Sequence, residues 1–217
     1  MPVEVKICGL TRPSDARAAA QLGARYLGVI FAGGPRNLEP ARAREVLEGA
    51  EAGGEVERVG VFARASADTI AAAVREARLD IVQLHADPAI DEIREVSERS
   101  GARVWAVVRV SGGDLPEDLD ELWQASDALV LDSKTPSSLG GTGTTFDWGA
   151  ARRAVRPHGA RLVVAGGLNS ANVAQAIETL SPDVVDVSSG VESAPGIKDH
   201  TRMADFIAAV RRAGVLR

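Results

Sequence analysis

Short β-branched, apolar runs alternate with Ala/Arg/Glu-rich stretches from one end of the chain to the other, and this alternation constrains the fold more than any other feature. The spacing predicts strands over residues 3–7, 26–31, 57–62, 81–84, 103–108, 128–131, 162–165 and 184–187. Helical patterns follow them over 13–22, from 40 to 47, and over 68–77, 88–99, 116–124, 148–155, 171–180 and 200–213. Pro13 opens the first helix and Gly23 stands just past its end, the expected asymmetry of helix termini. Ser66 precedes the third helix in the N-cap neighbourhood. Strands that alternate with helices run parallel, and strands apolar throughout are buried on both faces. The 217 residues hold eight such units without a linker-like stretch. That favours a single (β/α)8 TIM barrel over residues 1–217, with a doubly wound open sheet as the competing topology.

Composition narrows the function classes. Cys8 is the only cysteine, so no intrachain disulfide and no cysteine zinc site is expected, and a reducing cytoplasm is the default location. The first residues, Met1 to Lys6, lack the apolar core of a signal peptide, and no apolar run is long enough to span a membrane. A net charge of −5 offers no general attraction for nucleic acid. An anionic ligand therefore needs local donors. Lysine is scarce: Lys6, Lys134 and Lys198 all lie near the segments considered next.

Barrel enzymes of this type carry their chemistry at the C-terminal strand ends and in the loops that follow. The first strand ends in Lys6-Ile7-Cys8-Gly9 and the second runs into Gly34-Pro35-Arg36. The fourth ends in Gln83-Leu84-His85 and the sixth in Leu131-Asp132. The turns after the seventh and eighth strands hold Gly166, Gly167, Ser189 and Gly190, a phosphate-binding pattern of exposed backbone N–H groups. Tight turns need glycine even without a ligand, so the weight rests on two such turns on adjacent strands. Gly140, Gly141 and Gly143 read as a lid, since no Gly-Lys-Ser/Thr follows to make a nucleotide loop.

Side chains two apart on a strand share a face, so Lys6 and Cys8 are neighbours and the cation is expected to favour a thiolate. An inert buried cysteine is the plain alternative. Asp132 ends an apolar strand, where a carboxylate needs a substrate or a cation beside it. The first and sixth strands are three steps apart in an eight-membered ring. Cys8 and Asp132 are therefore expected to flank a ligand, as an acid/base isomerisation requires.

Taken together, Lys6-Ile7-Cys8-Gly9-Leu10-Thr11-Arg12, Pro35-Arg36, Gly60-Val61-Phe62 and Val82-Gln83-Leu84-His85 resemble the phosphoribosylanthranilate isomerase family of tryptophan biosynthesis. Leu131-Asp132, residues 140–148, 165–168 and 186–192, and Pro195-Gly196-Ile197-Lys198 continue the match in the same order. The resemblance implies an aminoaldose-to-aminoketose rearrangement without cofactor or metal. It implies Cys8 as general base, Asp132 as general acid, and Arg36 on the anthranilate carboxylate. His85 and Asp186 match positions lining the same pocket, and the turns after the seventh and eighth strands would hold the phosphate.

Three positions depart from the family's usual pattern. Ala86 and Thr144 stand where glycine and lysine are frequent, and the loop of Arg36 lacks the serine common before Pro-Arg. The expected partner is the small-molecule substrate phosphoribosylanthranilate, with neither nucleic acid nor membrane, in a monomer or homodimer. Competing readings are a dual histidine/tryptophan-pathway isomerase, a metal-dependent pentulose-phosphate epimerase, and a non-catalytic barrel that binds a phosphorylated metabolite. The dual isomerase is understood to carry aspartate at the position of Cys8, an epimerase would want more His and Asp ligands, and a binding barrel would need neither Cys8 nor Asp132.

Overall fold

A computed structural model describes residues 2–50, 55–110, 115–133, 147–154 and 161–214. Eight strands close into a barrel in chain order, each hydrogen-bonded to the next and β8 to β1. They are β1 (Glu4–Ile7), β2 (Tyr26–Ile30), β3 (Glu57–Phe62), β4 (Ile81–Leu84), β5 (Arg103–Val110), β6 (Ala128–Ser133), β7 (Arg161–Val164) and β8 (Val184–Val187). The helices between and after them are α1 (Pro13–Leu22), α2 (Pro40–Glu48), α3 (Ala67–Ala77), α4 (Ile90–Ser100), α5 (Leu119–Ala125), α6 (Trp148–Ala154), α7 (Val173–Leu180) and α8 (His200–Gly214). All barrel pairings are parallel.

The helix ends follow from local chemistry. Pro13 occupies the first turn of α1, and Gly23 ends it in the left-handed region at φ 96°. The Ser66 hydroxyl accepts the Thr69 N–H at 3.3 Å and caps α3. Helix α7 begins at Val173, later than its apolar pattern suggests. Asn169 and Asn172 satisfy the preceding backbone with side-chain bonds to the Ala171 and Asn169 N–H groups, which holds a turn there instead.

Strand alternation divides the core in two. Outward residues such as Ile7, Leu27, Val82, Leu129 and Val185 pack under the helices. Inward residues Tyr26, Val59, Ile81, Trp105, Val107, Val130, Val163 and Val184 form a separate cluster inside the barrel. Tyr26 and Trp105 meet edge to face at 4.9 Å. A buried side chain of this size contributes about 1.5–3 kcal/mol, so the inner cluster makes the lower barrel a solid plug. On β4, β6 and β8 the next inward positions, Gln83, Asp132 and Asp186, are polar.

Two strands outrun their predicted limits. β6 continues through Asp132 to Ser133, and β5 to Val110, because Arg109 pairs in register with Asp132 and Val110 with Ser133. An antiparallel ladder of β9 (Glu192–Ala194) and β10 (Ile197–Lys198), turned at Gly196, follows β8 and was not anticipated.

Candidate active site

A cavity of about 290 Å³ opens at the C-terminal ends of the strands. Cys8, Arg36, His85, Asp132, Gly166, Gly167, Asp186 and Ser189 all line it, which brings together eight of the residues singled out from sequence. Gly190 is not in the lining; it sits against the Leu168 carbonyl, where a β-carbon would come within 2.0 Å of that oxygen. Gly140, Gly141 and Gly143, the expected lid, lie outside the described residues.

The inward parity that builds the plug also builds the site. Lys6 and Cys8, Gln83 and His85, Val130 and Asp132, and Asp186 and Ser188 are same-face pairs two residues apart. Near the top of the plug polar inward side chains join Ile30, Val61 and Ala165, and several polar atoms there are buried without a protein partner. They are Gln83 Oε1, His85 Nδ1, Asp132 Oδ1 and Asp186 Oδ1. Unsatisfied buried groups are costly, so their concentration in one cavity marks a place built for a polar ligand. Gly166 completes the wall beside Asp132. At φ 85° it adopts a left-handed conformation, and a β-carbon would lie 2.6 Å from Asp132 Oδ1.

The titratable groups are strongly biased. Burial, then the nearby charge of Asp186, pushes the Asp132 carboxyl up to about 7. Burial, with the charge of Lys6, pushes His85 down to about 4. His85 is therefore neutral near pH 7, and its Nε2 approach to Asp132 Oδ2 at 3.6 Å is a dipole contact, not an ion pair.

Lys6 behaves differently from the sequence expectation. Its ammonium, fully buried, bonds Asp186 at 2.8 Å. Burial pushes the Cys8 thiol up, Lys6 pulls it down, and Asp186 pushes it up again; the balance lies above its ordinary 9.0. The cation is spent mainly on a carboxylate brought beside it by the β8–β1 pairing, where Lys6 is opposite Asp186. The resting cysteine is a thiol.

Arg36 also has a partner that the sequence left unassigned. Its Nε and Nη2 donate to the two oxygens of Glu192, at 2.8 and 2.6 Å. Lys198 Nζ donates to the same carboxylate at 2.8 Å and to the Ser188 carbonyl at 3.1 Å. Burial pushes Glu192 up, but the Arg36 and Lys198 contacts outweigh it and hold the carboxyl below its ordinary range. Gln83 and Ser188, which stood at strand ends without a role, share the parity of His85 and Asp186, so alternation could have assigned them to the pocket. Glu192 and Lys198 were quoted only as motif residues. Their contacts depend on the β9–β10 turn, for which no local pattern speaks.

Among the described residues no cluster of three or more His, Cys, Asp or Glu is arranged to hold a metal ion. No helix among them is long and apolar enough to cross a membrane.

Comparison with known proteins agrees with this geometry. The chain is 41% identical over 216 residues to N-(5'-phosphoribosyl)anthranilate isomerase of Cereibacter sphaeroides, covering 96% of this chain and 99% of that one. The crystal structure of phosphoribosyl anthranilate isomerase from Thermus thermophilus superposes with a TM-score of 0.84 at 32% identity, covering 99% and 100% of the two chains. A third relative, a phosphoribosyl anthranilate isomerase in complex with reduced 1-(o-carboxyphenylamino)-1-deoxyribulose 5-phosphate, superposes with a TM-score of 0.79 at 33% identity over 97% of this chain and 99% of that one. The family model for N-(5'-phosphoribosyl)anthranilate (PRA) isomerase matches residues 5–209. The chain belongs to the phosphoribosylanthranilate isomerase family.

Proposed function

We propose that this chain isomerises N-(5-phosphoribosyl)anthranilate to 1-(2-carboxyphenylamino)-1-deoxyribulose 5-phosphate, a step of tryptophan biosynthesis, with Asp132 as general acid and Cys8 as general base. The observation that carries the roles is a carboxyl held up at about 7 in the same cavity as a single cysteine. A proton-holding Asp132 can protonate the ribose ring oxygen. The C1–O bond then breaks as the anthranilate nitrogen supplies its electron pair, leaving a protonated Schiff base. That positive charge acidifies the C2 proton, and it steadies the Cys8 thiolate of the reacting form, whose thiol proton has already passed to solvent. Removal of the C2 proton by the thiolate yields an enolamine, which tautomerises to the aminoketose. His85, neutral, can donate or accept a hydrogen bond without repelling either intermediate. A base that must stay reduced suits the cytoplasm.

Loss of anthranilate-type fluorescence, with the substrate generated in situ, tests the reading directly. Purified protein that leaves the signal unchanged would overturn it.

Arg36 is assigned to the substrate's aromatic carboxylate. Its Nε/Nη2 edge is held by Glu192, which leaves the Nη1 end for the ligand. Arg36→Ala is expected to raise KM roughly thirtyfold or more, since truncating one member of a desolvated charge pair costs about 2–5 kcal/mol. Arg36→Lys should recover only part of that, because a lysine cannot satisfy Glu192 and clasp a carboxylate at once. A wild-type KM in the alanine variant would move the carboxylate contact elsewhere.

The phosphate is assigned to the cleft between the turns after β7 and β8, lined by Gly166, Gly167, Leu168, Ser188 and Ser189. Gly190 sets their separation, given the 2.0 Å approach of its absent β-carbon to the Leu168 oxygen. Gly190→Ala must push the turns apart, and inorganic phosphate should then compete with substrate several-fold more weakly. An unchanged phosphate inhibition constant would take the anion out of this cleft.

A further inference from the structure

We propose that Glu192 is a positioning residue for the isomerase reaction, holding the Arg36 guanidinium so that its Nη1 end faces the substrate's aromatic carboxylate. The proposal rests on the isomerase reading above.

A guanidinium offers a side-on edge, Nε with one Nη, and an end-on edge made by the two Nη groups. Glu192 takes the side-on edge with both oxygens, at 2.8 and 2.6 Å. That fixes the plane of the group and its rotation within the plane, leaving the end-on edge for a second carboxylate. Arg36 lies in the loop after β2, and without such a contact its long side chain would lose rotamer freedom only on binding.

Glu192 can serve as the fixed point because it is itself held. Its side chain is 5% exposed. Lys198 Nζ bonds Oε1 at 2.8 Å, and the Gly196 N–H reaches the same oxygen at 3.3 Å. Lys198 is tied in turn: its backbone N–H donates to Asp15 at 3.1 Å, and Asp15 accepts from Arg12 at 2.9 Å. The β9–β10 ladder thus connects α1 to the loop that carries Arg36.

The charges make the proposal testable by sign. Arg36 and Lys198 with Glu192 leave one net positive charge. Glu192→Gln leaves two. If Glu192 acted on the anionic substrate through its charge alone, the glutamine variant would bind more tightly and KM would fall. Positioning predicts the reverse.

Steady-state kinetics on the full chain decide between them. Glu192→Gln should raise KM at least fivefold with kcat within about threefold of wild type, and should add little in an Arg36→Ala background. Glu192→Asp keeps the charge but falls short by a methylene, so its KM should lie between the two. Anthranilate, used as a competitive inhibitor, should weaken with KM, whereas inorganic phosphate should inhibit as in wild type.

An unchanged or lowered KM in Glu192→Gln overturns the proposal alone, provided the wild type turns over. Parallel loss of phosphate and anthranilate binding, in both variants, would mean a general collapse of the site and also overturns it. A wild-type protein with no isomerase turnover overturns the isomerase reading and this proposal together.

Discussion

Asp132→Asn and Cys8→Ser are each expected to lower kcat by about 10²–10⁴-fold while KM stays within a few-fold, the usual contribution of a placed proton-transfer group. The pH dependence should carry the signature of this site. Asp132 titrates at about 7 and Cys8 above its ordinary 9.0. The productive form has a proton on Asp132 and none on Cys8, so the proton sits on the group of lower pKa. That arrangement is the minor one of the two singly protonated forms. The kcat/KM profile of the wild type should therefore be a bell whose acid limb breaks near 7 and whose optimum lies on the alkaline side. In Asp132→Asn the break near 7 should vanish, leaving residual activity that climbs with the thiolate.

Stability offers an independent control. Asp132 has a folded pKa raised from 3.8 to about 7, so its contribution is fully present below 3.8 and is lost as pH rises through about 7. Ionising it in the folded state costs at most roughly 4 kcal/mol. Asp132→Asn should escape that cost and be as stable as wild type, or more so, above pH 7 by chemical denaturation. An Asn variant that keeps near-wild-type turnover, or keeps the acid break near 7, would remove Asp132 from the acid role. Cys8→Ser at nearly wild-type rate would do the same for the base.

Lys6→Met should produce the largest loss of stability. Lys6 is fully buried and bonds Asp186 at 2.8 Å, and burial pulls its pKa down less than Asp186 raises it together with Cys8. Removing the ammonium leaves an unpaired carboxylate in the barrel, a change that costs about 3–5 kcal/mol when a buried pair is broken from one side. For a chain of this length that corresponds to a Tm lower by roughly 10 °C. The double variant Lys6→Met/Asp186→Leu removes both charges and should recover most of the stability, though not the activity. A single variant that loses less than about 1 kcal/mol, in urea titrations at pH 7, would mean that the two charges are not held as a buried pair.

Much of the scaffold was legible because its causes are local. Residues 57–62, 81–84 and 184–187 are strands with the predicted limits, since β-branched runs bounded by turn residues specify an extended chain within a few positions. Pro13, Gly23 and Ser66 marked helix ends through their own backbone and hydroxyl chemistry. Period-two alternation put Lys6 and Cys8 on one face, the strand ends marked Asp132, and the family resemblance supplied His85 and Asp186. Even the error at β6 is local in origin: a charged residue looks like the end of an apolar strand unless its neighbour on β5 is seen.

What the alternation could not decide is who meets whom. Lys6 was read with Cys8, its neighbour on the strand, but closure of the barrel lays β8 against β1 and gives Lys6 a carboxylate 180 positions away. A buried ammonium pairs with the carboxylate, and the thiol stays protonated. Arg36 likewise finds Glu192, 156 positions distant, through an unpredicted β-ladder. The chain's own periodicity determined the eight units, the inward faces and the residue types at the strand ends. The partners of the buried charges, and with them the protonation of Cys8 and Asp132 and the usable edge of Arg36, were decided only when the ring closed, because Coulomb and desolvation energies depend on distances across the barrel that no local pattern encodes.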